Sequence, residues 1–270
     1  MAQPFVAVVT GASSGIGRAI ATELARRNAH LIVHCKQNLA GLSETVCEAQ
    51  KACCSTVQIS SIISDIQDAK SNHSLVDAAF ARHGYVDTWI HAAGADVLTG
   101  HARGLSFAEK LALLWATDVA GTFLLSRIVA AKMRDQPKIE RRLPSMLHIG
   151  WDQAEQGLEG DSGQYFAATK AAVAAFSKSL AKSVSPWMRV NCIAPGWVQT
   201  KWGESTSPEW QQRAVGESML ERWGLPQDIA RVAASLSLAD GAFINGQTIA
   251  VNGGWKSMFL SVKSETDLDD

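Results

Sequence analysis

The chain has 270 residues, 47% hydrophobic and 19% charged, which suits one large α/β domain with a sizeable core better than two ordinary ones. Lysine and arginine (25) balance aspartate and glutamate (26) to a net charge of −1 with no long basic run, so no nucleic-acid partner is expected. No apolar run in the sequence approaches a membrane span, and Met1-Ala-Gln-Pro4 leads straight into a strand-like segment, so neither a membrane partner nor a signal peptide is expected.

The five cysteines (Cys35, Cys47, Cys53, Cys54, Cys192) are odd in number and form no CxxC pair. They read as reduced thiols of a cytoplasmic protein. The seven histidines contain no HExxH, and no metal is predicted.

Short β-branched runs alternate with longer helical patterns along the chain. Phe5–Val9 reads as a first strand and Gly15–Arg27 as a helix; His30–Cys35 is a second strand, followed by a helix to about Cys53. Thr56–Ser60 is a third strand, Gln67–Arg82 a helix and Val86–His91 a fourth strand. A long helix is predicted from about Ser106 to Met133, then a fifth strand at Ser145–Ile149 and a helix over Ser162–Ser183. Arg189–Ile193 is a sixth strand, helices follow near 208–219 and 227–238, and Thr248–Val251 is the last strand. Strands separated by helices imply right-handed crossovers and a Rossmann-like, doubly wound parallel sheet of about seven strands, with helices on both faces. Residues 1–270 form a single domain, with a substrate lid at about 197–224 and a flexible acidic tail at about 262–270.

Between the first strand and its helix lies Thr10-Gly-Ala-Ser-Ser-Gly-Ile-Gly17. Gly11, Gly15 and Gly17, with Ser13, Ser14 and Ile16 between them, allow a tight turn and a close backbone approach to a pyrophosphate at a helix N-terminus. The TGxxxGxG spacing resembles that of the short-chain dehydrogenase/reductase family, and further matches follow in order from about residue 5 to 254. Asp65 and Ile66 stand where the family contacts adenine; His91-Ala92-Ala93-Gly94 replaces its Asn-Asn-Ala-Gly; Pro195-Gly196-Trp-Val198-Gln-Thr200 matches its PGxxxT stretch, which packs on the nicotinamide. Arg222–Ala230 and Ile244–Gly254 match its C-terminal signatures, with Asn252 where aspartate is usual. The resemblance implies a nicotinamide cofactor, a small-molecule substrate and a homo-oligomer paired through the alanine-rich face of the helix after Ala171.

In dinucleotide folds an acid at the end of the second strand holds the 2′-hydroxyl of NAD and repels the 2′-phosphate of NADP. That slot is Cys35, followed by Lys36, Gln37 and Asn38. With no carboxylate there and a lysine in reach, NADP(H) is favoured over NAD(H), with Ser13, Ser14 or Arg18 as possible helpers. Lys36 can equally be an ordinary solvated lysine.

The family uses a tyrosine as acid/base, a lysine four residues later that binds the ribose and lowers the tyrosine pKa, a serine on the substrate carbonyl and an asparagine that holds a relay water. Lys170 matches the lysine, but four residues back stands Phe166, and Tyr165 is five back. On a regular helix these offsets turn about 40° and about 140°, so Tyr165 faces elsewhere unless a π-type bulge adds a residue between them. Measured from the fifth strand, the serine slot is Trp151; measured thirteen residues back from Tyr165, it is Asp152, which resembles the pteridine reductase branch of the family. Both can instead be a packing aromatic and a helix cap. The asparagine slot is Asp118, able to accept from a water or to take over proton transfer. The candidate catalytic set is therefore Lys170, Tyr165, Asp118 and Asp152.

Trp197, Trp202, Trp210, Trp223 and Trp255 suggest a bulky apolar or aromatic ligand, though core packing explains tryptophans as well. Two readings remain. One is an NADP(H)-linked oxidoreductase acting on a carbonyl, alcohol or activated double bond with an altered acid/base set. The other is a catalytically inactive NADP(H)-binding protein, a redox sensor or a non-catalytic subunit.

Overall fold

The computed structural model describes residues 3–138, 142–238 and 241–256; the predicted acidic tail lies outside them. Strands β1 (Val6–Thr10), β2 (His30–Cys35), β3 (Ile59–Ile63), β4 (Thr88–His91), β5 (Ser145–Ile149), β6 (Arg189–Pro195) and β7 (Thr248–Val251) form one sheet in the order β3-β2-β1-β4-β5-β6-β7, and every pairing is parallel. The order reverses between β1 and β4. Ligands of such sheets settle in the crevice outside the carboxyl ends of those two strands, here Thr10 and His91.

The alternation of side chains along each strand divides the core in two. Ala7, Val9, Ile90 and Leu147 face α1 (Gly15–Arg26), α2 (Leu39–Ala52) and α9 (Pro226–Ser237). Val6, Val8, Trp89 and Met146 face α3 (Ala69–His83), α5 (Thr122–Asp135) and α6 (Gly160–Val184). Val6, Val8 and Val9 have no exposed surface, and each such burial contributes roughly 1.5–3 kcal/mol. This anchors β1, and with it the turn that leaves its end.

The structure departs from the sequence reading in three places. β3 begins three residues later than predicted, because Val57 N–H closes a turn on Cys54 O and the strand pairs Ile59 with Leu31. A short helix α7 (Lys201–Ser205), absent from the prediction, precedes α8 (Pro208–Glu217). The long helix after Ser106 runs as α4 (Phe107–Leu114), a π-helical turn Trp115–Gly121 and α5. The π turn thus sits at Asp118, whereas α6 is regular throughout. An 18-residue window within the continuous helix Phe107–Asp135 reaches a mean hydropathy of 1.4, so by length and composition it would pass as a membrane span, contrary to the sequence reading. Its Leu125, Val129 and Met133 are instead buried in the core beneath the sheet.

Candidate functional site

The turn after β1 is built to bring backbone close to a ligand. Gly11 has φ +66°, and a Cβ there would lie 2.5 Å from Ala93 Cα and 2.6 Å from Ala92 O. At Gly17 a Cβ would stand 2.2 Å from Gly11 O. Both positions therefore exclude side chains. Thr10 Oγ1 accepts from Ala93 N–H at 3.3 Å, joining the turn to the β4 end. Ser14 precedes α1 without capping it, and the first turn holds no acidic residue, so the positive helix end remains available to an anion. Thr200 Cγ2 comes within 3.5 Å of the Cβ position of Gly15, so the chain after β6 closes over this end. A cradle that side chains would fill, at an uncapped helix start, fits the pyrophosphate of a dinucleotide.

At the adenosine end, Lys36 Nζ and Asp65 Oδ2 lie 2.7 Å apart, so the residue assigned to a ribose phosphate and the one assigned to adenine pair with each other. Lys36 is 51% exposed and can turn to a ligand. Asn38 caps α2 by accepting from Gly41 N–H, and Ser13 O receives Arg18 Nη2 at 3.0 Å. Arg18 also holds Glu44 at 2.7 Å and Glu48 at 3.3 Å, stitching α2 to the turn. These contacts make Arg18 a tie between α2 and the turn. Ile66 is buried, and its carbonyl accepts from Asn72 Nδ2.

The catalytic candidates separate into three places. Lys170 reaches back across β5, donating to Ile149 O at 3.2 Å and to Asp118 Oδ2 at 2.9 Å. The π turn presents Asp118, whose Oδ1 accepts from Ala95 N–H at 2.8 Å, and a Cβ on Gly94 would lie 3.0 Å from Oδ2. Asp118 thus ties the β4 loop to the lysine directly, in place of a water.

Tyr165 does not join them. It is 2% exposed, its ring packs 5.8 Å from Phe107 in a cluster with Val97 and Leu114, and its hydroxyl meets Ser162 Oγ at 3.1 Å. Because α6 has no bulge, the tyrosine lies on the α4 side of the helix. The residue on the lysine's side is Phe166, whose ring stands 6.3 Å from Trp151. Asp152 follows Trp151 at the mouth of β5; its Oδ2 accepts from Asn252 Nδ2 at 3.0 Å, and its Oδ1 has no side-chain partner. Burial pushes its carboxyl up to about 6, opposed by the Asn252 amide. A Cβ on Gly196 would lie 3.2 Å from Asp152 Oδ2, so the turn after Pro195 passes directly over this carboxyl.

Residues 11–256 match the family model described as Enoyl-(Acyl carrier protein) reductase. The 3-oxoacyl-[acyl-carrier-protein] reductase of Escherichia coli (strain K12) is 31% identical over 92% of this chain and 96% of its own length. The cyclohexanol dehydrogenase of Rhodococcus sp. (strain TK6) is 31% identical over 92% and 95%. The chain belongs to the short-chain dehydrogenase/reductase family. Its fold is also that of a single-substitution variant of the actinorhodin polyketide ketoreductase solved with NADPH, with a TM-score of 0.80 and 26% identity over 94% of this chain and 98% of that one. The curated relatives are named reductases and dehydrogenases, so the family is one of oxidoreductases.

Two buried histidines prove to be coupled, one of them His91, where the family has asparagine. His91 and His148 stand opposite each other in the β4–β5 register, stacked with ring centroids 4.9 Å apart. Ser126 Oγ donates its one proton to Thr122 O, so both Nε2 atoms, at 3.1 Å and 2.9 Å, must donate to it. An Nε2–H donates in the neutral and in the protonated ring alike, so it is burial that keeps both rings neutral. Burial lowers both, His148 to about 3 with the Lys170 cation adding to the effect. Each histidine ends or nearly ends a buried strand, which is the signal that would have paired them. Asn252, which holds Asp152, was noted only as a departure from the family's aspartate.

Beyond β6, Val198 pairs with Gly224 and encloses α7 and α8. Trp197, Trp202, Trp210 and Trp223 pack on one another with centroids 5.4 to 6.3 Å apart, and Trp197 Nε1 donates to Glu217 at 2.7 Å. These four tryptophans form a core for the segment, while Trp255 pairs through its backbone with Ser218. An open cleft of about 870 Å³, bordered by Glu204, Gln211, Glu221 and Lys256, shares no residue with the phosphate turn or the Lys170 group.

Proposed function

We propose that this protein is an NADP(H)-dependent oxidoreductase that transfers hydride to or from a carbonyl, alcohol or activated double bond of a small molecule, without the family's tyrosine and serine. The observation that carries the reading is the joint presence of the Gly11–Gly17 cradle after β1 and of the Lys170 ammonium, reaching from α6 to the end of β5, both at the carboxyl end of the sheet. The cradle and the start of α1 would take the pyrophosphate, Lys36 the 2′-phosphate, Ala92 to Gly94 the adjoining backbone, and Pro195 to Thr200 the nicotinamide side. Lys170 has a third ammonium hydrogen beyond those directed at Asp118 and Ile149, suited to a ribose hydroxyl.

The cofactor supplies the hydride chemistry. The chain orients and sets charge: Asp118 fixes Lys170, the stretch 197–224 serves as the substrate lid, and Asp152, its carboxyl raised by burial to about 6, is the group placed to exchange a proton. The preference for NADP(H) is supported by the absence of an acid at Cys35 and by the NADPH bound to the actinorhodin ketoreductase variant. A homo-oligomer is supported by the half-exposed Leu124 on α5 beside α6, and a reducing cytoplasmic setting by the free cysteines.

The test is NADPH binding and oxidation by the purified protein and by Lys170→Ala. The expected result is NADPH bound more tightly than NADH, with turnover lost in the variant. Turnover unchanged in Lys170→Ala would remove the site assignment, and equal affinity for the two nucleotides would remove the NADP(H) preference. NADPH bound with no turnover of any substrate would favour the binding-protein reading, against which stand the relatives named as reductases and dehydrogenases.

A further inference from the structure

The two positions where the family sets hydroxyls to bond a carbonyl oxygen carry rings here. Phe166 offers no hydrogen, and Trp151 offers a single indole N–H at its edge. Both are half-buried, with planes at 68° to each other. What such rings present to a ligand is the negative face of a π system, which attracts cations.

The charges around them point the same way. Asp152 adjoins Trp151; its Oδ2 accepts from Asn252 Nδ2 at 3.0 Å, and its Oδ1 is buried without a side-chain partner. The nearest fixed cation, Lys170, is matched by Asp118 at 2.9 Å, so its charge does not oppose another cation. Glu217, facing Asp152 from α8, is held by Arg213 and Trp197. The buried His148 of β5 is uncharged above about pH 3. Two aromatic rings, a neighbouring carboxylate and a neutralised lysine complement a positive group. They do not complement an oxygen that gains negative charge.

Resting on the oxidoreductase reading above, the geometry points to a cationic carbon–nitrogen double bond, an iminium, as the group reduced at this site, held by Trp151, Phe166 and Asp152. Such a substrate removes the need for the missing acid. Its carbon gains the hydride with both electrons, the C=N π pair becomes the nitrogen lone pair, and the reduced nicotinamide is oxidised by two electrons. No proton moves in that step. A ketone at the same place would need one.

The test compares N-methyl-3,4-dihydroisoquinolinium, which has no N–H to titrate and keeps its charge from pH 5 to 7, with 1-tetralone, a neutral bicyclic ketone of similar size. With NADPH, the cation is expected to be turned over at least tenfold faster in kcat/KM. In calorimetry with NADP⁺ present, N-methylisoquinolinium is expected to bind and 1-tetralone to bind at least tenfold more weakly. Trp151→Leu and Phe166→Leu, which keep apolar bulk and remove the π faces, are each expected to lower kcat/KM for the cation about tenfold. Because Asp152 is ionised above about pH 6, activity on the fixed cation should rise with pH from 5 to 7, and Asp152→Asn should flatten that rise. Reduction of 1-tetralone in preference to the cation would overturn the inference, as would absence of cation turnover or an unchanged pH profile in Asp152→Asn. If NADPH itself fails to bind, the oxidoreductase reading fails first. If NADPH binds and only the ketone reacts, the iminium inference alone is lost.

Discussion

Replacing Asp118 with asparagine removes one of two bonds whichever way the amide turns. The carboxylate accepts from Ala95 N–H through Oδ1 at 2.8 Å and holds Lys170 through Oδ2 at 2.9 Å. An amide has one oxygen, so its NH₂ must face either the backbone N–H or the ammonium. Asp118 is 3% exposed and the Lys170 side chain 17%, so water repairs little of the loss. A charge-assisted hydrogen bond contributes about 1.5–3 kcal/mol, and a buried charge left alone costs about 3–5 kcal/mol. Lys170 keeps Ile149 O and some solvent, which places the cost of Asp118→Asn at about 2–3 kcal/mol. For a domain of this size that corresponds to a fall in Tm of roughly 4–10 °C. Thermal unfolding at pH 7 of Asp118→Asn, Lys170→Met and the double variant measures it. The two single losses should exceed the double by about 1–3 kcal/mol, the signature of a shared interaction. A Tm within about 1 °C of the parent, or single losses that add to within about 0.5 kcal/mol, would refute the claim that Asp118 holds the lysine directly.

Further outcomes follow from the same geometry. Tyr165→Phe should leave turnover unchanged and cost about 1 kcal/mol through the lost bond to Ser162, whereas Phe166→Tyr should create or raise ketone reduction; steady-state kinetics on both substrates separates them. Lys36→Ala should weaken NADPH about tenfold and leave NADH nearly unchanged, while Asp65→Asn should free Lys36 and raise the NADPH preference roughly two- to fivefold, read as a ratio of dissociation constants. Gly17→Ala should abolish NADPH binding at micromolar concentration and lower Tm, because its methyl would fall 2.2 Å from Gly11 O; calorimetric binding at the parent affinity would contradict the tight turn.

Most of the fold was legible because two periodicities agree. β2, β5 and β7 fall on the predicted residues, each a short apolar run bounded by turn chemistry. β3 was misplaced because it is an edge strand with serines at its centre, where the hydrophobic pattern is weak. The π turn at Asp118 left no signal, since one extra residue in a long apolar helix changes neither its composition nor its caps. The glycine turn announced itself, because only Gly11 and Gly17 satisfy contacts that close. The acid/base slots did not. Helix geometry set Tyr165 and Phe166 on different faces, but only the regularity of α6 decides which one shares a face with Lys170. The pairings of Lys36 with Asp65 and of Asp118 with Lys170 join residues 29 and 52 positions apart along the chain, and spacing alone does not couple them.

The central claim is that the reacting centre lies against Phe166 and Trp151, with Lys170 on the ribose and Tyr165 away from it. The most direct measurement is a crystal structure with NADPH bound. The account predicts the nicotinamide C4 beside the Phe166 and Trp151 rings, the Lys170 ammonium hydrogen-bonded to a ribose hydroxyl, and α6 unbroken from Gly160 to Val184. A Tyr165 hydroxyl within about 4 Å of C4, reached by a bulge in α6, would contradict it and return the family's own acid to the site.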